Sequence, residues 1–234
     1  MNNIHLLIIN YNYNKHLLKN ISYFTAIESK GVATNIIDDQ SLIGIKDLEK
    51  KFKNCYVTNY TKSNYNSINQ INAVYFGLEH IKNIRSEDYV WLMDADDIPI
   101  MDDKILDMIK SKNKSIYLFS RLEKNQKITP VRKHKFWISR VTTSGIVIKK
   151  KLLLSNKSIL TNAFFNDTWL DIRISCLASI LNKETELSTM IVCERVLHER
   201  NDSARYMNKR FVTLSRIIKA IFYKQFLIWQ KHFY

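Results

Sequence analysis

Three carboxylates directly follow an apolar run near the middle of the chain. Residues 89–93 (YVWLM) are apolar or aromatic, and Asp94, Asp96 and Asp97 come immediately after them. An apolar run that stops at charges and then at Pro99 is typical of a buried strand. Acids crowded at the end of such a strand repel one another and lose hydration, and a divalent cation relieves both costs. The spacing therefore predicts a metal site at this strand end.

Strand-like and helix-like segments alternate over the first half of the chain. Residues 4–10, 33–39, 55–59 and 89–93 have strand-like patterns, and residues 15–30, 42–52 and 67–82 have helical spacing. The alternation predicts an α/β fold, with a mostly parallel sheet flanked by helices. In such sheets ligands bind beyond the carboxyl ends of the strands. We therefore expect the polar strand ends at residues 10–12, 38–39 and 94–97 to meet at one edge.

The second half of the chain is less regular. Residues 102–110 and 167–181 have helical spacing, and residues 115–120, 146–148 and 190–196 resemble strands. The 234 residues and 46% hydrophobic content suit one domain with a sizeable core. We expect that domain to span residues 1–205 and to be followed by a tail of residues 206–234.

The cysteines and the apolar segments indicate the compartment. Cys55, Cys176 and Cys193 are isolated, which favours free thiols in a reducing cytoplasm over disulfides or a zinc site. No apolar run is long enough to predict a transmembrane helix. The first apolar run has no basic region before it, so we expect no signal peptide.

The net charge of +14 calls for an anionic partner, which could be nucleic acid, an anionic membrane surface or an acidic substrate. The tail has no Asp or Glu after Asp202. On a helical projection one side of the tail is apolar and the other is largely basic. The apolar side consists of Phe211, Leu214, Ile218, Ile221, Phe222 and Trp229, and the basic side of Lys209, Arg216, Lys219, Lys224 and Lys231. This pattern predicts an interfacial membrane helix; the alternative is a helix packed on the domain or in a dimer.

Six short motifs occur along the chain in a characteristic order. They are residues 8–12 (IINYN), 37–41 (IDDQS), 92–97 (LMDADD), 144–150 (SGIVIKK) and 165–167 (FND), and then Arg195 with His198 and Ser203. Together they resemble the family-two glycosyltransferases of the GT-A fold, from about residue 4 to residue 205. Gln40 stands where the family has Gly, and Asn166 where it has Glu. Arg195 and His198 are one residue further apart than in the family.

The resemblance implies sugar transfer from a nucleotide donor, which we expect to be a UDP-sugar, by an inverting, metal-dependent mechanism. It implies a nucleotide-binding half over residues 1–110 and an acceptor-binding half over residues 111–205. The sugar would be of the hexosyl or N-acetylhexosaminyl type. The acceptor would be a glycan or lipid-linked glycan in bacterial lipopolysaccharide, capsule or related polysaccharide synthesis. The enzyme would then be peripheral on the inner face of the cell membrane.

For the metal and the phosphates, the resemblance implies that Asp96 is a ligand of Mn²⁺ or Mg²⁺ and that Asp94 faces the nucleotide. His198 would be a further metal ligand or a phosphate contact, against the alternative of a structural histidine. Arg195 would contact the diphosphate. The structural alternative for the acids is that Asp97 caps the next helix while the others pair with basic residues.

For the nucleoside, Tyr11, Asn12, Asp38 and Asp39 would line the donor site. Tyr11 would stack on the base, and the two aspartates would form hydrogen bonds with the uracil or the ribose. The alternatives are a core tyrosine and a pair of turn aspartates.

For the acceptor, Asp167 would be the general base that takes the proton of the attacking hydroxyl. Asp171, four residues further on, shares a helix face with Asp167 and is the alternative base. Asp167 could also serve as the N-cap of the helix that follows.

Two functions other than active sugar transfer remain as alternatives. One is a nucleic-acid-binding module, suggested by the charge but supported by no recognisable motif, so we expect no nucleic-acid partner. The other is a degenerate transferase that binds a nucleotide without turnover. The oligomeric state is not indicated.

Overall fold

Strands and helices alternate over the first half of the protein, as its sequence predicts. The computed structural model describes residues 2–123, 126–133, 138–139, 141–196 and 210–233. The first four strands are β1 (Ile4–Asn10), β2 (Val32–Asp38), β3 (Cys55–Val57) and β4 (Tyr89–Asp94). The helices among them are α1 (Asn14–Lys19), α2 (Ile21–Glu28), α3 (Lys46–Glu49) and α4 (Asn66–His80).

The second half adds seven strands of very different length and five α-helices within the described residues. The strands are β5 (Ile98–Pro99), β6 (Ile116–Glu123), β7 (Ile128–Thr129), β8 (Arg132–Lys133), β9 (Ile138–Ser139), β10 (Ile146–Lys149) and β11 (Thr185–Arg195). The helices are α5 (Asp103–Lys112), α6 (Lys150–Ser155), α7 (Lys157–Leu160), α8 (Leu170–Ile180) and α9 (Arg210–Phe233).

One mixed sheet organises the domain. Its strand order is β3-β2-β1-β4-β10-β6-β11-β5, and β7 pairs with β6. The four strands β3, β2, β1 and β4 run parallel to one another. The next strand, β10, runs antiparallel to both of its neighbours, β4 and β6. Asn10 is in register with Asp38, and Ile9 with Asp94, so the carboxyl ends of β1, β2 and β4 meet at one edge. The predicted α/β fold is confirmed.

Side chains alternate between the two faces of this sheet, as the period of a strand requires. In β4, Trp91 and Met93 join the cluster on one face, with α2 and α5, while Val90 and Leu92 join the cluster on the other, with α4 and α8. Because β4 is buried on both faces, its sequence is a continuous apolar run and its first polar side chain is at its carboxyl end.

Two predicted helices are shorter in the structure. The segment 15–30 breaks at Asn20, whose side-chain amide donates to the His16 carbonyl at 3.0 Å, so that it forms α1 and α2. An asparagine that bonds nearby backbone competes with helical hydrogen bonding. The segment 42–52 retains only the four residues of α3.

The tail helix α9 packs on α8, as the alternative interpretation of the tail predicted. The packed side is not the predicted apolar side, because Ala220, Tyr223 and Leu227 are the residues buried against the domain. On the predicted side, Ile218, Phe222 and Trp229 are 45%, 66% and 54% exposed. The helix is therefore apolar on two sides, and the domain covers one of them.

Candidate active site

A buried serine from the second half of the chain fixes the acid cluster at the end of β4. Ser144 Oγ donates to Asp97 Oδ2 at 2.6 Å and accepts from the backbone N–H of Asp94 at 3.1 Å. Its carbonyl accepts from Trp91 Nε1 at 2.8 Å. Asp97 therefore braces the turn and does not cap a helix; the cap of α5 is Asp102, which accepts from the backbone N–H of Ile105.

Burial and mutual repulsion disfavour the ionised forms of the carboxyls in the acid cluster. Burial raises the pKa of Asp94 well above its usual range, and the neighbouring Asp96, Asp97 and Asp171 raise it further. Burial also raises the pKa of Asp96 to about 7 and that of Asp97 to about 6. A cation bound here would stabilise the ionised forms of these carboxyls.

The donor atoms fit a hard divalent cation, because they are carboxylate oxygens. In the described part of the chain, no group of three or more His, Cys, Asp or Glu side chains is arranged to hold a metal ion by itself. A metal at Asp96 would therefore need ligands from outside that part or from a bound phosphate. The predicted ligand His198 lies outside the described residues.

Arg195, the predicted diphosphate contact, is brought to the acid cluster. It ends β11, which pairs with β5 so that Cys193 lies opposite Pro99 and Glu194 opposite Ile98. Arg195 directly follows Glu194 on this strand, and Asp97 directly precedes Ile98. The positive charge of Arg195 opposes the effect of burial by lowering the pKa values of Asp96 and Asp97.

Gln70, on α4, is a site residue that the sequence interpretation missed. Its side-chain amide donates to Asp94 Oδ1 at 3.0 Å and to Thr143 Oγ1 at 3.3 Å. Its Oε1 is buried and has no hydrogen-bond partner among the described residues. Buried polar atoms normally have a partner, so this oxygen is an exception among the described side chains. Helical spacing places Gln70 on the helix predicted for residues 67–82. It does not show that the Gln70 side chain reaches Asp94.

The Asp38 carboxylate forms hydrogen bonds within the turn that follows β2. It is 2% exposed and accepts from Asn10 Nδ2 at 2.6 Å and from the backbone N–H of Ser41 at 3.0 Å. Asn12 also belongs to this turn region, because its Oδ1 accepts from the backbone N–H of Leu42 at 2.8 Å. Both side chains thus stabilise the turn after β2, which agrees with the turn alternative for Asp38; their contact with a nucleotide stays a prediction.

Gln40 adopts the left-handed backbone conformation that glycine favours, with φ = +54°. This is the position where the resemblance called for glycine. The Gln40 side chain donates to the Tyr60 carbonyl at 2.7 Å, which ties the turn after β2 to the segment after β3.

Asp39 is also buried, and Lys62 links it to the exposed Tyr11 ring. Asp39 accepts from the Tyr60 hydroxyl at 2.7 Å, and its other oxygen lies 3.4 Å from Lys62 Nζ. Lys62 Nζ is also 4.0 Å from the centre of the Tyr11 ring, which is 47% exposed. Tyr60 and Lys62 were missed from the sequence, since nothing in their spacing shows that the segment after β3 folds back onto Asp39.

The two predicted bases face different neighbours. Asp167 is exposed and forms an ion pair with Lys219 of α9. No side chain caps α8, which begins at Leu170, so the N-cap interpretation of Asp167 is wrong. Asp171, in the first turn of α8, is half-buried, and its charge acts on Asp94.

A family profile described as "Glycosyl transferase family 2" matches residues 6–171. The chain belongs to this family. The matched region of the family-2 chain contains the Asp39 turn, the acid cluster and both candidate bases. It ends before Arg195 and α9. No curated protein is significantly similar to the chain in sequence.

Solved structures with a similar fold include glycosyltransferases. S. aureus TarS 1-349 in complex with UDP-GlcNAc is 14% identical, with a TM-score of 0.60 over 86% of this family-2 chain and 60% of that chain. The mannosyltransferase PcManGT from Pyrobaculum calidifontis, in complex with GDP-Man and Mn²⁺, is 11% identical, with a TM-score of 0.60 over 86% and 59%. At these identities the likeness shows the GT-A fold alone. The family-2 chain spans about 60% of the length of these proteins.

Proposed function

We propose that the protein is a metal-dependent, inverting glycosyltransferase that uses a nucleotide sugar, with a UDP-sugar as the expected donor. The observation that carries the proposal is the convergence of Asp39, the acid cluster and Arg195 at one sheet edge in a chain of this family. The proteins of similar fold support it, since they bind UDP-GlcNAc or GDP-Man.

The nucleoside would lie between Tyr11 and Asp94. The exposed Tyr11 ring offers a face for stacking, and Asp39 can accept from an N–H of the base once Lys62 moves aside. Asp94 would accept from a ribose hydroxyl.

The diphosphate would lie along Asp96 and Arg195. Asp96, with His198 as the predicted second protein ligand, would hold Mn²⁺ or Mg²⁺. A bound metal neutralises the charge that builds up on the leaving diphosphate. Arg195 adds a fixed positive charge to the same end of the site, because it already acts on Asp96 and Asp97.

The acceptor hydroxyl would lose its proton to a carboxylate while its oxygen attacks the anomeric carbon. The bond to the diphosphate breaks on the opposite face, which inverts the configuration. The family motif assigns the base to Asp167, which requires its ion pair with Lys219 to open. Asp171 is the alternative, because it is the carboxylate whose charge acts on Asp94.

The outward side of α9 would bind an anionic membrane surface. Ile218, Phe222 and Trp229 are exposed on this side, and Lys219 and Lys224 project from other sides of the same helix. Apolar side chains flanked by basic ones are typical of interfacial helices. None of the helices in the described ranges is both long enough and apolar enough to cross a bilayer. A lipid-linked or lipopolysaccharide glycan would be a fitting acceptor, reached from the inner face of the cell membrane.

A screen of nucleotide sugars for slow hydrolysis without acceptor tests the proposed activity. The proposal expects release of UDP from one or a few UDP-sugars, dependent on Mn²⁺ or Mg²⁺ and lost in Asp96→Asn. Nucleotide binding without turnover of any donor, with or without acceptor glycans, would indicate a degenerate transferase instead. Tight binding of DNA or RNA with no nucleotide binding would indicate the nucleic-acid alternative.

A further inference from the structure

Arg173, on α8, is a fully buried arginine that bonds to one loop. It is 0% exposed. Its Nε donates to the Thr168 carbonyl at 2.8 Å, and its Nη1 donates to the Leu160 carbonyl at 2.6 Å. The carbonyls of Asn162 and Phe165 accept further hydrogen bonds from the same guanidinium. All four carbonyls belong to residues 160–168, the base loop, which carries Asp167.

Burying this guanidinium is unfavourable by itself, and burial lowers its pKa. The planar fork of an arginine can donate in several fixed directions at once, which offsets the cost and defines the positions of its acceptors. The hydrogen bonds therefore determine the path of the base loop from its inner side.

The tail helix α9 covers the base loop from the other side. The Phe165 ring packs against Tyr223 and Phe226, with ring centres 4.9 and 5.1 Å apart. The Tyr223 ring also faces Arg173, whose Cζ lies 5.6 Å from the ring centre. The base loop is thus held between a buried cation and the aromatic side of α9.

We propose that Arg173 and Tyr223 are positioning residues that set the place of the Asp167 carboxylate, so that α9 is a working part of the acceptor side of the site. The proposal rests on the proposed function, in which Asp167 is the base. Neither residue touches the donor region around Tyr11, Asp39 and Asp96 in the contacts described above. Their loss should therefore affect transfer and leave nucleotide affinity unchanged.

The test compares Tyr223→Ala, Tyr223→Phe and Phe226→Ala with the wild type. Tyr223→Phe keeps the ring and loses the hydroxyl, which donates to the Ile159 carbonyl at 3.2 Å and also interacts with the Arg173 side chain. Gln225→Ala, at an exposed position of the same helix, is the matched control. Phe226→Ala, at a half-buried position, keeps the test decisive if Tyr223→Ala does not fold.

Three quantities are measured: UDP affinity, kcat with acceptor, and hydrogen exchange at the backbone amides of Phe165, Asn166 and Thr168. These amides donate within the base loop and report its order. We expect both alanine variants to speed their exchange and to lower kcat by about tenfold or more, with UDP affinity within about twofold of wild type. Tyr223→Phe and Gln225→Ala should behave as wild type.

Unchanged exchange at the three amides in folded alanine variants would overturn the proposal. A parallel loss of UDP affinity and kcat would also overturn it, because it would show a general structural effect. If the wild type transfers no sugar, the proposed function fails; the exchange comparison then still decides whether α9 holds the base loop.

Discussion

Lys219 on the C-terminal helix forms an ion pair with Asp167, the carboxylate proposed to take the acceptor's proton. The two residues are 52 positions apart, and the contact joins the tail to the acceptor side of the site. If Asp167 takes the proton at its paired oxygen, this contact has to open during each turnover.

Asp167→Asn should keep the fold and bind UDP as the wild type does, while kcat falls by about 10²–10⁴-fold, because an amide cannot act as the base. Asp171→Asn should cause a smaller loss. Steady-state kinetics and UDP calorimetry on both variants make the comparison. Near-normal turnover by Asp167→Asn, with a severe loss in Asp171→Asn, would move the base to Asp171.

Lys219→Met should raise kcat, by up to about fivefold, because it removes a contact that must break and that is partly exposed on both sides. Lys219→Arg, which keeps the pairing charge, is the control and should stay close to wild type. Both are measured at saturating donor and acceptor. A large fall in kcat for Lys219→Met would show instead that the lysine assists the reaction.

Asp88 predicts a specific dependence of stability on pH. Burial raises its pKa, but hydrogen bonds from the Arg85 guanidinium and from the backbone N–H groups of Asn3 and Arg85 outweigh this and lower it to about 2. Because the folded pKa is depressed, its contribution is present above about pH 4 and disappears as the pH falls towards 2. It amounts to about 2 kcal/mol in the free energy of unfolding.

Urea unfolding of the wild type and Asp88→Asn between pH 2 and 6 isolates that contribution. The gap in unfolding free energy between the two proteins should be largest at pH 6 and should narrow as the pH falls. Asp88 precedes β4 at the amino-terminal edge of the sheet, so transfer activity at neutral pH should change little. A gap that stays constant with pH would contradict the assignment.

Gly77→Ala should destabilise the protein even though alanine favours helices. A Cβ at Gly77 would lie 2.9 Å from Ile37 Cγ1 and from Leu7 Cδ1, where α4 meets the sheet. Overpacking of this kind costs about 1–3 kcal/mol in the free energy of unfolding. Gly44→Ala is the control, because nothing lies within 4 Å of its added Cβ. Equal thermal stability of the two variants would show that the interface adapts.

The sheet and the acid cluster could be predicted because they depend on local patterns. A strand buried on both faces needs an unbroken apolar run, and its end is visible where the charges of Asp94 and Asp96 begin. Parallel strands then bring such ends together without further information. The register of Asn10 with Asp38 and of Ile9 with Asp94 confirms this step.

Other assignments needed contacts between distant residues. Adjacent aspartates have the same local sequence pattern whatever their partners are, so the different contacts of Asp38 and Asp39 could not be predicted. The partners that separate them, Asn10 for one and Lys62 for the other, lie on different segments. Likewise, a helix that is apolar on two sides does not reveal which side is covered, and α9 buries Tyr223 while Phe222 is exposed.

Calorimetric titration of the wild type and Asp96→Asn with UDP, with and without Mn²⁺, tests the central claim most directly. The account predicts that Mn²⁺ tightens UDP binding to the wild type by about tenfold or more and that Asp96→Asn loses this dependence while keeping its fold. Equal UDP affinity with and without Mn²⁺, or no UDP binding at all, would contradict a metal-dependent nucleotide-sugar site at the end of β4.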